Sequence, residues 1–300
     1  MEEQQRQLKN GFYTALGTPL NSEGGLEKES FLKHAEDQIE AGAAGLLVMG
    51  TMGIEAYITN SVYPDVARAG AEAGKGRLPV LVGVMDTSIS RVRDRIDALK
   101  GMKIDGVVAT TPYYFTLNDK EIYNFYSRLA RECVYPLYLY DLPAITKTKI
   151  TWQTAERLMK EVPNCRGIKS GDLTLARNLS RSSHYRNDFA VVYSGVDTFD
   201  VAYRYGITKN LDGIFSCTPR LVKKMYQALP DGDWETAGDA LEGIIRIRDG
   251  LVGLGIFPAF TEAMNLLGCK GRFHPDYAEE ISYEAKKRVK AILKEEGELD

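Results

Sequence analysis

The residue best placed to do covalent chemistry is a lysine. Cys165-Arg166-Gly167-Ile168-Lys169 is a short β-prone run ending in an ammonium. A lysine turned into a protein interior loses solvation, which lowers its pKa and leaves a nucleophilic amine. Such an amine condenses with a ketone to an imine, whose protonated form accepts the electrons of a breaking C–C bond. The same lysine could instead snorkel to a rim or pair with Asp141 or Asp172. Tyr140 ends an earlier run, Leu137–Asp141. A phenol can relay a proton where no histidine is at hand, although tyrosine is also common in cores. Thr51 lies within Gly50-Thr51-Met52-Gly53. There backbone N–H groups could hold a carboxylate and the hydroxyl could pass a proton, or the segment could be a plain turn. Pro112-Tyr113-Tyr114-Phe115 is an aromatic loop suited to a lid or a subunit contact.

The rest of the 300-residue chain narrows the chemistry by what it lacks. His34, His184 and His274 share no helical or metal-ligand spacing. Cys133, Cys165, Cys217 and Cys269 are scattered, which reads as reduced, buried thiols. The strand ends carry no cluster of carboxylates for a metal. The expected reaction therefore runs without a histidine base, a cysteine nucleophile or a metal. The 38 Lys and Arg against 41 Asp and Glu give a net charge of −3, which argues against a nucleic-acid surface. The basic cluster Lys286, Lys287, Arg288 and Lys290 reads as a solvated helix face. Met1–Lys9 has no apolar signal-peptide core and no uncharged run is long enough to cross a bilayer, so a cytoplasmic protein without a membrane partner is expected.

The elements that must position these residues follow a βα rhythm. β-prone runs recur every 25–35 residues or so: Phe12–Gly17, Gly45–Met49, Pro79–Met85, Gly106–Ala109, Leu137–Asp141, Arg166–Lys169, Ala190–Ser194 and Gly213–Ser216. Amphipathic helical stretches lie between them, with Ser88, Asn118 and Thr151 as N-caps. Strands nearly continuous in apolar residues belong to a parallel sheet covered on both faces, and eight repeats favour an α/β fold closed into a (β/α)8 TIM barrel. From about Asp231 the pattern turns wholly helical (Ala237–Arg248, Pro258–Leu267, Pro275–Leu293) with no linker. The expectation is a barrel over residues 1–230 with a packed C-terminal helical extension over 231–300. In such barrels reactive groups stand at the C-terminal strand ends, where the residues above fall.

Taken in order, Thr18-Pro19-Leu20, Gly50-Thr51-Met52-Gly53 with Glu55, Thr111-Pro112-Tyr113-Tyr114, Tyr140 followed by Pro143, and Gly167-Ile168-Lys169 resemble the dihydrodipicolinate synthase/N-acetylneuraminate lyase family. The resemblance runs over about the first 270 residues. It implies class I lyases or aldolases with no cofactor beyond a covalent pyruvate imine, in homo-oligomers, usually tetramers. It makes Lys169 the Schiff-base lysine and Tyr140 the general acid/base. Thr51 would link Tyr140 to Tyr114, which in the family reaches into a neighbouring subunit's site. The Thr51 and Met52 amides would hold the pyruvate carboxylate, and the Phe215 carbonyl would lie near C3 of pyruvate.

This sequence departs from the family pattern in several places. Met52 replaces a usual second threonine, Ile54 puts Glu55 one position late, and the runs after Lys169 and after Ser216 are short. In Pro143-Ala144-Ile145-Thr146, Ile145 stands where dihydrodipicolinate synthases carry an arginine that grips the aldehyde partner's carboxylate; isoleucine cannot supply that contact. The run looks more like those of sialic acid lyases and 2-keto-3-deoxy sugar acid aldolases. Asp86 and Lys147 could contact a polyol or a distal carboxylate, or make ordinary surface pairs. The favoured expectation is cleavage or formation of a C–C bond in a 2-keto-3-deoxy sugar acid or an N-acetylneuraminate-like substrate. The alternatives are a dihydrodipicolinate synthase-like condensation, a hydratase, dehydratase or decarboxylase acting on a 2-keto acid, and a non-catalytic keto-acid-binding barrel.

Overall fold

Strands short in sequence and buried on both faces can persist only when helices cover their outer side and neighbouring strands satisfy their backbones. The computed structural model, which describes residues 7–300, shows this arrangement. Eight parallel strands close into a barrel in sequence order: β1 (Gly11–Ala15), β2 (Gly45–Val48), β3 (Val80–Gly83), β4 (Gly106–Thr110), β5 (Leu137–Asp141), β6 (Cys165–Ser170), β7 (Ala190–Tyr193) and β8 (Lys209–Asp212). β8 returns to pair with β1, Tyr13 opposite Leu211. Alternate residues such as Tyr13, Leu47, Leu81, Val108 and Tyr138 pack inside the barrel. Their neighbours, such as Phe12, Leu46, Val82 and Val107, pack outward against the helices.

The helices are α1 (Lys28–Glu40), α2 (Tyr63–Gly74), α3 (Ile89–Ala98), α4 (Asp119–Glu132), the single turn α5 (Pro143–Thr146), α6 (Trp152–Glu161), α7 (Leu173–Ser180), α8 (Phe199–Arg204) and α9 (Pro219–Ala228). Ser88 and Thr151 cap α3 and α6 as expected, and Asn118 forms a full capping box with Glu121 on α4. Burial pushes the His34 imidazole on α1 down to about 3, with Nε2 3.2 Å from Ser216 Oγ, so it is a neutral core group.

Two expected elements are corrected. The eighth strand is Lys209–Asp212, and the expected strand Gly213–Ser216 falls largely within a 3-10 turn, Ile214–Cys217. Lys209-Asn210-Leu211-Asp212 does not read as an apolar run, yet Asn210 is buried and hydrogen-bonded neighbours on β1 hold the segment extended. The expected helix Pro275–Leu293 begins only at Tyr283. After α10 (Trp234–Gly253) and α11 (Ile256–Leu266) the chain turns through Gly268 (φ 87°) and Gly271 (φ 142°), left-handed positions that suit glycine. It then returns to the barrel, where Leu20 and Arg272 exchange backbone hydrogen bonds of 2.9 and 2.8 Å, before α12 (Tyr283–Glu295).

Candidate active site

Parallel strands paired in register point opposite residues to the same side. Tyr140 on β5 stands opposite Lys169 on β6, and both face the barrel interior near the C-terminal ends of their strands. Lys169 is only 8% exposed. Its Nζ lies 4.0 Å from the centroid of the Tyr140 ring. The Tyr140 hydroxyl lies 3.3 Å from Thr51 Oγ1, which joins the β2 loop to the pair.

The carboxylates that could have clamped the amine are engaged elsewhere. Asp141, one residue after Tyr140, faces outward and receives hydrogen bonds from Ser170 Oγ (2.8 Å) and the Ile150 amide (2.9 Å). Lys149 bonds Asp141 and lies 3.0 Å from Asp172, so one cation takes both acids. Burial pushes the Asp212 carboxyl up although the Lys169 charge works against this, and its Oδ1 accepts the Ile214 amide at 2.9 Å. Among the described residues Lys169 makes no ion pair. The alternatives of a rim lysine and an ion-paired lysine both fail on this geometry.

The loop that presents Thr51 is held under strain. Met49 (φ 54°) and Ile54 (φ 48°) flank it in the left-handed region, which costs a non-glycine residue roughly 1 kcal/mol or more. Packing keeps them there. The Thr18 hydroxyl donates to the Gly53 carbonyl at 2.7 Å. A Cβ on Gly83 would sit 1.8 Å from the Met49 carbonyl, so only glycine lets β3 approach this closely. Met52 packs over Gly213, where a Cβ would meet its own at 2.7 Å. The amides of Thr51 and Met52 donate to no other described residue. Two free N–H groups on a rigid loop form a ready cradle for a carboxylate.

The turn at Ile54 also explains the displaced acid. Glu55 swings inward and is 1% exposed, 3.6 Å from Arg95 Nε, with neither carboxyl oxygen hydrogen-bonded. Arg95 also reaches Asp86 at 3.8 Å and stacks 4.7 Å from the Tyr63 ring centroid. Burial raises the Glu55 carboxyl to about 8, opposed by Arg95 and reinforced by Asp86. For Asp86 burial acts upward too, but Arg91 at 2.6 Å, the Thr87 amide and Arg95 hold it below its ordinary value. A group whose pKa rises on folding contributes stability below its unfolded pKa and loses it as pH climbs through the folded one. Wild-type stability is therefore expected to fall between about pH 4.5 and about pH 8 on account of Glu55. Urea melts of the wild type and Glu55→Gln across this range should diverge in slope; parallel profiles would show that Glu55 is not neutral in the fold.

Other residues singled out in the sequence fall as follows. Tyr114 and Phe115 are 79% and 75% exposed and meet edge to face at 5.0 Å, so the chain's own Tyr114 does not join Thr51. Asp86 is committed to its arginines, the ordinary pairing. Lys147 occupies a left-handed position (φ 57°), the backbone state that favours glycine, and its Nζ folds back onto the Ala144 carbonyl at 3.0 Å. Ile145, on α5 directly after β5, is 57% exposed. The Phe215 ring packs outward on Phe12, and its carbonyl accepts the Thr218 amide at 3.2 Å. Sequence reading gave no role to Arg95 or Thr110. Arginine on a helix gives no signal of burial, whereas Thr110 could have been found by its two-residue spacing from inward Val108.

Among the described residues no group of three or more His, Cys, Asp or Glu is placed to hold a metal ion, and no helix is long and apolar enough to cross a membrane. The model of the Dihydrodipicolinate synthetase family matches residues 8–296. A 4-hydroxy-tetrahydrodipicolinate synthase from Nitratidesulfovibrio vulgaris is 31% identical over 231 residues, 76% of this chain and 77% of that protein. Another, from Stutzerimonas stutzeri, is 30% identical over 228 residues, with the same shares of 76% and 77%. In three dimensions the chain is similar to a dihydrodipicolinate synthase from Thermotoga maritima, with TM-score 0.88 and 22% identity over 97% of this chain and 100% of that one. It is similar, too, to a prophage protein of that family from E. coli K12 in complex with pyruvate, with TM-score 0.88 and 21% identity over 97% and 99%. At these identities the solved structures speak for the barrel. The family model and the sequence relatives show that the chain belongs to the dihydrodipicolinate synthetase family, whose members are pyruvate-dependent class I lyases and aldolases working through a lysine Schiff base.

Proposed function

We propose that Lys169 forms the imine with pyruvate and that the chain joins the resulting enamine to an aldehyde or runs the reverse cleavage. The observation that carries this is the buried amine, free of any counter-ion and lying over the ring of the phenol that meets Thr51. The amine attacks C2 of pyruvate, and Tyr140 protonates the departing hydroxyl as water. The Tyr140 phenolate takes a proton from C3 to give the enamine, whose C3 attacks the aldehyde carbon while Tyr140 passes that proton on to the new alkoxide. Hydrolysis then returns the amine. The Thr51 and Met52 amides hold the pyruvate carboxylate throughout. Tyr114, exposed on its own chain, would complete the relay from a second copy, which makes the working unit a homo-oligomer.

For the aldehyde partner, the first reading is aspartate semialdehyde. It is supported by the names of the relatives, which are condensing synthases, and so moves ahead of the sugar-acid substrate suggested by the Pro143–Thr146 run. The second reading, a 2-keto-3-deoxy sugar acid, is favoured by one observation: on the exposed turn after β5, Ile145 supplies no cation for a carboxylate, and the nearby Lys147 ammonium is folded back onto the Ala144 carbonyl. A panel separates them. Consumption of pyruvate with the semialdehyde supports the first, and pyruvate release from 2-keto-3-deoxy acids or N-acetylneuraminate supports the second. If the second holds, Ile145→Arg should raise kcat/KM for the semialdehyde about tenfold or more, the value of a charge-assisted contact of roughly 1.5–3 kcal/mol. No gain would remove position 145 from the specificity argument.

A further inference from the structure

The interior ring that carries the amine and the phenol holds a further polar group. On β4 Thr110 stands in register with Tyr140, which stands in register with Lys169, which in turn faces Val192 on β7. Residues sharing a register across parallel strands face the same side. The order around this level of the barrel is therefore hydroxyl, phenol, amine and isopropyl. Thr110 is buried, and its Oγ1 has no hydrogen-bond partner among the described residues. Its neighbours on the strand, Val108 inward and Ala109 outward, confirm the alternation. A hydroxyl enclosed in protein without a partner loses its hydration for nothing, and such groups gather where a ligand completes them.

We infer that Thr110 is a specificity-determining residue that hydrogen-bonds an oxygen of the second substrate, favouring hydroxylated aldehydes over apolar ones. The inference rests on the imine at Lys169. Thr110 on β4 lies between the β2 loop and Tyr140 on β5, in register with the phenol proposed to protonate the aldehyde oxygen, which puts its hydroxyl beside the carbons that come from the aldehyde. Val192 on the opposite flank offers no competing contact. A site built around a hydroxyl discriminates sharply against a ligand lacking the matching oxygen, because its own polar group is then left unpaired. Thr110→Val keeps the shape and removes only the hydroxyl.

The test uses pyruvate with two three-carbon aldehydes, glyceraldehyde and propanal. In parallel, borohydride reduction with pyruvate alone is read by mass at Lys169. Thr110→Val should lower the ratio of kcat/KM for glyceraldehyde over propanal by about 10- to 100-fold, and Thr110→Ser should restore most of it. A normal pyruvyl adduct with an unchanged ratio in Thr110→Val would overturn the role of Thr110 alone. Absence of the adduct in the wild type would overturn the imine reading and this inference with it.

Discussion

Lys169→Ala should form no borohydride-trapped pyruvate adduct and should lose about 10⁴-fold or more in kcat/KM, because no other group can replace a covalent nucleophile. Trapping on the wild type should add one reduced pyruvyl mass, and peptide mapping should place it on Lys169. The environment of the amine makes the expectation sharp. It is enclosed by β5 and β6, lies against an aromatic face and lacks a carboxylate partner. An unmodified Lys169, or an adduct on another lysine such as Lys149 or Lys209, would refute the proposed chemistry while leaving the barrel intact.

Tyr140→Phe should lower kcat by about 10² to 10⁴-fold, the usual weight of a positioned proton donor. The loss should appear in formation of the adduct as well as in turnover, since the same phenol serves carbinolamine breakdown and aldol protonation. Removing the hydroxyl keeps the ring beneath Lys169, so the packing of the amine is retained and the effect is read on chemistry. Thr51→Val should cost less, about tenfold, because its 3.3 Å contact with Tyr140 orients the phenol without supplying the proton. Stopped-flow measurement of imine formation in the two variants checks both. Tyr140→Phe with wild-type adduct kinetics would move the proton relay elsewhere.

Much of this arrangement was legible in the sequence. Seven of the eight strands overlap the β-prone runs of the sequence, and the order of Thr51, Tyr140 and Lys169 at the ends of three of those runs already suggests one rim of a barrel. What escaped was decided by tertiary contacts. β8 is polar at Lys209, Asn210 and Asp212, and it is a strand because β1 offers it a ladder. Glu55 enters the interior because Ile54 adopts a backbone state that no propensity would assign to a β-branched residue. The Asp141–Lys149–Asp172 clamp joins groups from two consecutive βα segments, and residue types alone could not say which lysine those acids would choose. Partner choice among like side chains depends on direction, and direction comes only with the alternation of the folded strands.

That clamp has an electrostatic corollary. With Asp141 and Asp172 both held by Lys149, neither acid stands as a counter-ion beside Lys169. The keto acid brings the missing negative charge with it, on the carboxylate that the Thr51 and Met52 amides await. Recruitment and charge neutralisation become a single event, and an uncharged methyl ketone, equally electrophilic at its carbonyl, gains neither.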